Sequence, residues 1–126
     1  MNNGNTRRIF RGDIFYADLG DTVGSQQGGI RPVVIVQNNT GNRFSPTIVV
    51  VPLTSVNKKK RQPTHTYIGK CFGLTAESIA LAEQITTIDK CRLHDYIGHM
   101  SAGTMLRLSN ALSISVGIDN GGDGRD

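Results

Sequence analysis

The side chains that could do chemistry in this chain are few, and they stand at the ends of apolar runs. Arg31 lies between the Gly-rich stretch 24–29 and the run Val33-Val34-Ile35-Val36, where a guanidinium needs an anionic partner. That partner is either a carboxylate of the chain, with Asp13, Asp18 and Glu83 as candidates, or an anion from outside. Thr54 ends a second apolar run with a hydroxyl that can donate and accept, and Ser55 repeats it. Taken singly, each is an ordinary strand-end hydroxyl. Glu83 and Gln84 interrupt the apolar run 79–85 and could meet Arg31 from a neighbouring strand, with plain strand alternation as the competing reading, the stronger one for Gln84.

Other chemistries lack their motifs. Cys71, Cys91, His65, His94 and His99 show no Cys-x-x-Cys and no paired histidines at helical spacing, so a structural role is expected for each histidine, with no metal site and no cofactor. No Walker sequence, nucleophile elbow or dinucleotide fingerprint is present, and Gly28-Gly29 is not followed by a helical pattern. A net charge of +4 permits a polyanionic partner without demanding one. Its clusters, Lys58-Lys59-Lys60-Arg61 and Arg7, Arg8 and Arg11, read most simply as solvated surface segments. Polar residues crowd the N-terminus where a signal peptide would need its apolar region, and no run is long enough to span a bilayer. A cytoplasmic protein, away from membranes, with Cys71 and Cys91 as free thiols, is the expectation.

Positioning these groups falls to short apolar runs separated by turn residues, the pattern of a mainly β domain whose core is built from Val, Ile and Leu. Strands are expected at 13–19, 33–37, 47–53, 65–68, 78–85 and 96–99. Pro32 is expected to open the second strand, which puts Arg31 at a loop-to-strand junction, and Pro52 to make the third leave its ladder or bulge just before Thr54. The region 38–46 reads as a turn. Ser101 is a candidate N-cap for a helix to Val116, with Met105, Leu108, Leu112 and Val116 on one face. Residues 1–10 and 119–126 read as flexible tails around one domain, 11–118.

Arg11-Gly12-Asp13-Ile14 followed by Gly24-Ser25-Gln26-Gln27-Gly28-Gly29-Ile30-Arg31-Pro32-Val33-Val34-Ile35 closely resembles the opening of MazF/PemK toxins. Later blocks of the same family follow in order: Gln37-Asn38, residues 42–47, Pro52-Leu53-Thr54-Ser55, Pro63-Thr64-His65 and residues 83–90. The resemblance implies an SH3-like small β-barrel with a C-terminal helix and short added helical turns, forming a homodimer. It implies a type II toxin that cleaves single-stranded RNA sequence-selectively without metal and is inhibited by a MazE-like antitoxin. By position the catalytic arginine falls on Arg31 and the catalytic threonine on Thr54. Ser25, Gln27, Ser55 and Gln84 fall where such enzymes approach RNA, and the Lys58, Lys59, Lys60 run could guide the phosphate backbone. Gln26 stands where some relatives carry an acidic residue, which leaves its contribution open.

The implied reaction is attack of a ribose 2′-hydroxyl on its own phosphate, giving 2′,3′-cyclic phosphate and 5′-hydroxyl ends. A preorganised guanidinium suits the charge that develops on the nonbridging oxygens, whereas its high pKa suits it poorly to act as base. Phe15, Tyr16 and Phe44 are the aromatic candidates for stacking on bases, with core packing the competing role for the first two. Two other functions share the fold: a CcdB-like toxin that poisons a topoisomerase by binding, and a plain RNA-binding module.

Overall fold

In the computed structural model, residues 7–22, 24, 26–56 and 62–118 are described. The strands are β1 (Asp13–Asp18), β2 (Ile30–Ile35), β3 (Thr47–Ser55), β4 (His65–Gly69), β5 (Ser78–Leu81), β6 (Thr86–Asp89) and β7 (Leu93–His99). Two helices join them, α1 (Asn39–Phe44) and α2 (Ala102–Ser115), with 3₁₀ turns at Ala82–Gln84 and Lys90–Arg92. All ladders are antiparallel, in the order β4-β5-β3-β2-β1-β7, with β6 also paired to β3.

The near-continuous apolar runs of β2 and β3 have the meaning expected of them, burial on both faces of the sheet. Val34, Val36, Val51 and Leu53 join Ile14, Ile68, Ala80 and Met100 in one cluster, covered by Leu108 and Ala111 of α2. Val33, Ile35, Ile48 and Val50 face the other way, into a second cluster with Phe15, Ala17, Ile88 and Leu93. The residues just before β1 take part, since Ile9 packs against the second cluster and the Arg7 guanidinium lies 3.5 Å over the Tyr96 ring. At the far edges of the sheet the backbones nearly touch. A Cβ on Gly98 of β7 would collide with the Phe72 carbonyl, and one on Gly73 with that of Ile97, so the loop after β4 lies directly on β7.

Several boundaries differ from the sequence reading, each for a local reason. β2 begins at Ile30 and carries Pro32 inside it, paired with Tyr16 of β1. The proline is tolerated because the ladder with β3 starts only at Val33, so β2 has a single neighbour at that point. Pro52 does not end β3. It stays paired with Val33, while on its other side β3 changes partner, from β6 through Val50 to β5 from Leu53. The expected strand 78–85 breaks at that same place, where Ala82–Gln84 turns out of the sheet and β6 follows as a separate strand.

The 38–46 turn contains a short helix, because Asn38 caps it by accepting from Gly41 N–H at 2.8 Å and buried Asn42 donates to the Gln37 carbonyl at 3.0 Å. Ser101 caps α2 through Thr104 N–H at 3.2 Å, as its sequence implies. Met105, Leu108 and Leu112 pack inward, but Val116 falls past the helix end and is 56% exposed.

Candidate active site

Arg31 is the second residue of β2, not a junction residue, and pairs with Ala17 of β1. The β2–β3 ladder ends at Val33↔Pro52, and Arg31 and Thr54 each lie two residues beyond that pair, Thr54 being paired with Ile79 of β5. Strand alternation puts both on the face of Val33 and Pro52, the side of the second cluster.

Arg31 is half-buried, and its Nε donates to the Gly28 carbonyl at 3.0 Å. None of the three carboxylates weighed as internal partners reaches it. Asp13 pairs with His99 Nδ1 at 2.7 Å, Asp18 accepts from Gly20 N–H at 2.8 Å, and Glu83 pairs with His65 Nε2 at 3.1 Å. His65–Glu83 and His99–Asp13 are histidine–carboxylate hydrogen-bonded pairs among the described residues. The guanidinium is thus steered through Nε by a backbone carbonyl while its terminal nitrogens have no carboxylate at ion-pair distance. That is an arrangement for a visiting anion.

Of Glu83 and Gln84, weighed as possible neighbours of Arg31, Glu83 pairs with His65 and Gln84 reaches the β1–β2 loop that holds Arg31. Gln84 Oε1 accepts from Gln27 N–H at 2.8 Å, and Gln27 is followed by the glycine whose carbonyl holds Arg31. Loop geometry allows this approach because Gly29 has φ +71, and because a Cβ on Gly28 would lie 2.7 Å from Thr22 Oγ1. Between the loop and β6 lies a cleft of about 460 Å³, walled by Thr22, Gln26, Gln27, Gln84, Thr86, Thr87, Asp89 and Arg92. Arg31 and Thr54 are not among the residues that line this cleft, whereas Pro52, two residues before Thr54, and Glu83 are. Gln27 Oε1 is buried there without a hydrogen-bond partner, an acceptor available to a ligand donor.

Ser55, exposed beside Thr54, pairs with Ser78. Ser25 and the run Lys58, Lys59, Lys60 lie outside the described residues. Of the aromatics, Phe15 is fully buried and packs edge-on to Tyr96 at 5.5 Å, so it is core. Phe44 is 73% exposed but precedes the start of β3, about 23 Å along that strand from Thr54. Arg11, grouped by sequence with a solvated basic segment, is a strut. Its backbone N–H donates to Asn39 Oδ1, and its guanidinium donates to the Val36 carbonyl and to Ser109 Oγ. Thr86, Thr87, Asp89 and Arg92 were not singled out in the sequence because no strand was expected at 86–89; the alternation around buried Ile88 was the available signal. Cys71 and Cys91 are free and exposed, and among the described residues no three His, Cys, Asp or Glu side chains converge.

An antiparallel sheet backed by a C-terminal helix, with a half-buried arginine near the start of β2 and a polar cleft beside the β1–β2 loop, defines a small mainly β protein. The family model of the PemK-like, MazF-like toxins of type II toxin-antitoxin systems matches residues 10–116, and the chain belongs to that family. It is 47% identical to the endoribonuclease MazF of Staphylococcus epidermidis over 89% of this chain and 94% of that one. To the endoribonuclease EndoA of Bacillus subtilis strain 168 it is 48% identical, over 87% and 96% of the two chains. Among solved structures, a mycobacterial endoribonuclease in complex with its cognate antitoxin superposes with a TM-score of 0.74 at 32% identity, covering 88% of this chain and 97% of that one.

Proposed function

We propose that this chain cleaves single-stranded RNA at selected sequences without a metal ion, by attack of a ribose 2′-hydroxyl on the adjacent phosphate. As a MazF-type endoribonuclease toxin of a type II toxin-antitoxin system it is inhibited by a cognate antitoxin. The observation that carries the mechanism is the state of Arg31, steered by the Gly28 carbonyl and left without a carboxylate. In the reaction the O2′–P bond forms, the P–O5′ bond breaks, and the 2′ proton is lost while O5′ gains one. Charge accumulates on the nonbridging oxygens at the halfway point, and a preorganised guanidinium stabilises it most there. Thr54, on the same face of the sheet as Arg31 by strand alternation, holds the phosphate or relays a proton. Gln27, Gln84 and Ser55, with Ser25, contact the RNA, and Lys58, Lys59 and Lys60 guide its backbone.

The same reading takes the protein as a cytoplasmic homodimer with a barrel-like sheet and a MazE-like antitoxin as partner. Five strands, β1, β2, β3, β6 and β7, contribute to the second cluster, which supports the barrel. Exposed Leu106, Ile114, Val116 and Ile118 on and after α2 support symmetric association. No helix among the described residues is long and apolar enough to cross a membrane.

The test is cleavage of a defined RNA in EDTA, with the ends mapped. Discrete cuts leaving 2′,3′-cyclic phosphate are expected, and Arg31→Ala should abolish them while RNA binding survives in weakened form. Normal turnover by Arg31→Ala, or continued cleavage when the scissile ribose is replaced by deoxyribose, would refute the mechanism.

A further inference from the structure

A 3₁₀ turn of three residues has little stability of its own, yet Ala82–Gln84 is anchored on every side. Ala82 N–H donates to the Thr64 carbonyl at 3.0 Å, and Ser115 Oγ of α2 donates to the Ala82 carbonyl at 3.3 Å. Glu83 engages the start of β4 with both carboxylate oxygens. Oε1 accepts from Thr64 Oγ1 at 3.0 Å and Oε2 from His65 Nε2 at 3.1 Å. The His65 side chain is only 8% exposed, and its Nδ1 accepts Gln62 N–H at 3.4 Å, which leaves the proton of the neutral ring on Nε2, facing Glu83. This two-point grip fixes the rotation of the turn. The next residue, Gln84, reaches Gln27 N–H at 2.8 Å, and the Gly28 carbonyl then takes Arg31 Nε at 3.0 Å.

We propose that Thr64, His65 and Glu83 are positioning residues for RNA cleavage. They lock the 3₁₀ turn so that Gln84 holds the 26–28 segment, and the Gly28 carbonyl in turn sets the direction of the Arg31 guanidinium. The inference rests on Arg31 being the catalytic arginine. Both Glu83 oxygens are engaged, by Thr64 and by His65 at the start of β4, which fits a positioning role. Without the clamp, the loop keeps its own bonds, such as Gly29 N–H to the Gly20 carbonyl at 3.0 Å, but loses its tie to the sheet at Gln27. Arg31 then reaches the same phosphate in a spread of orientations, and a misplacement of about 1 Å is enough to cost on the order of 100-fold in rate.

The experiment measures kcat and KM separately on a short RNA bearing one cleavage site. Glu83→Ala and His65→Ala should lower kcat by roughly 10-fold to 100-fold with a much smaller change in KM. His65→Gln, whose amide can still donate to Glu83, should recover most of the loss in His65→Ala, with thermal melts showing all variants folded. Adding Glu83→Ala to Gln84→Ala should cost little further, because the link is already cut. Losses that multiply in the double variant, no recovery by His65→Gln, or an effect confined to KM would overturn the proposal. Should Glu83→Ala fail to fold, the comparison of His65→Ala with His65→Gln, each alone and with Gln84→Ala, tests the same link. Arg31→Ala separates the two levels: normal turnover removes the reading of Arg31 itself, whereas an inactive Arg31→Ala beside multiplying losses removes only the positioning role.

Discussion

Arg31 does its work with two different parts of one side chain. Nε is committed to the Gly28 carbonyl, and under the proposed mechanism the terminal nitrogens take the phosphate. Lysine would preserve the charge but could supply neither the steering bond nor a paired grip, so Arg31→Lys should bind RNA nearly as well as the parent and lose about 100-fold to 1,000-fold in kcat. Single-turnover cleavage set against filter binding checks this, and a fall in binding with kcat preserved would contradict it. Thr54→Val, which keeps the shape and removes the hydroxyl, should also cost mainly kcat, as measured in the same assay. Residue types alone left Arg31 open between an internal ion pair and an outside anion and Thr54 as an ordinary strand-end hydroxyl; the family resemblance assigned their roles. Their placement on one face of the sheet was not legible, because it depends on a register set by Val33, Val34 and Ile35 against Pro52, Val51 and Val50.

At the scale of elements, strands buried on both faces and a capped helix announced themselves, and interruptions did not. Ser101 is the clearest case of a readable device. Its hydroxyl accepts from Thr104 N–H, so Ser101→Ala should destabilise the protein by about 1 kcal/mol in urea unfolding with kcat unchanged. A shift within error would mean that the bond contributes nothing. The break of 78–85 into β5 and a 3₁₀ turn was hidden because Ile79 to Ile85 is apolar enough to pass for one strand, and β6 beyond it was not expected. Only the change of partner along β3 at Pro52 forces the chain out of the sheet there. Helix α1 was hidden for the opposite reason: Asn38, Asn39 and Asn42 are turn formers, and here they cap and fasten a helix.

Across the whole molecule, charge and exposed apolar surface govern its encounters. Replacing Lys58, Lys59, Lys60 and Arg61 by glutamine brings the formal net charge from +4 to zero. RNA affinity should then fall at low salt far more than at high salt, with the slope against log salt reduced by about 0.7 for each RNA phosphate no longer neutralised. A salt-independent loss, measured by fluorescence anisotropy, would argue against backbone guidance. On α2, Leu106 is 74% exposed, and Leu106→Asp should shift a dimer toward monomer in light scattering if that face is the interface; an unchanged mass would place the interface elsewhere. The pairing of the first strand with the last carries a consequence for the synthesis of the chain. β1 has β2 on one side and β7 on the other, and Asp13 finds its partner His99 only 86 residues later. At ribosomal speeds of roughly 5 to 20 residues per second, that interval is about 4 to 17 s during which Ile14 and Phe15 have no complete core to enter. The chain therefore cannot close β1 between its two neighbours until β7 has been synthesised.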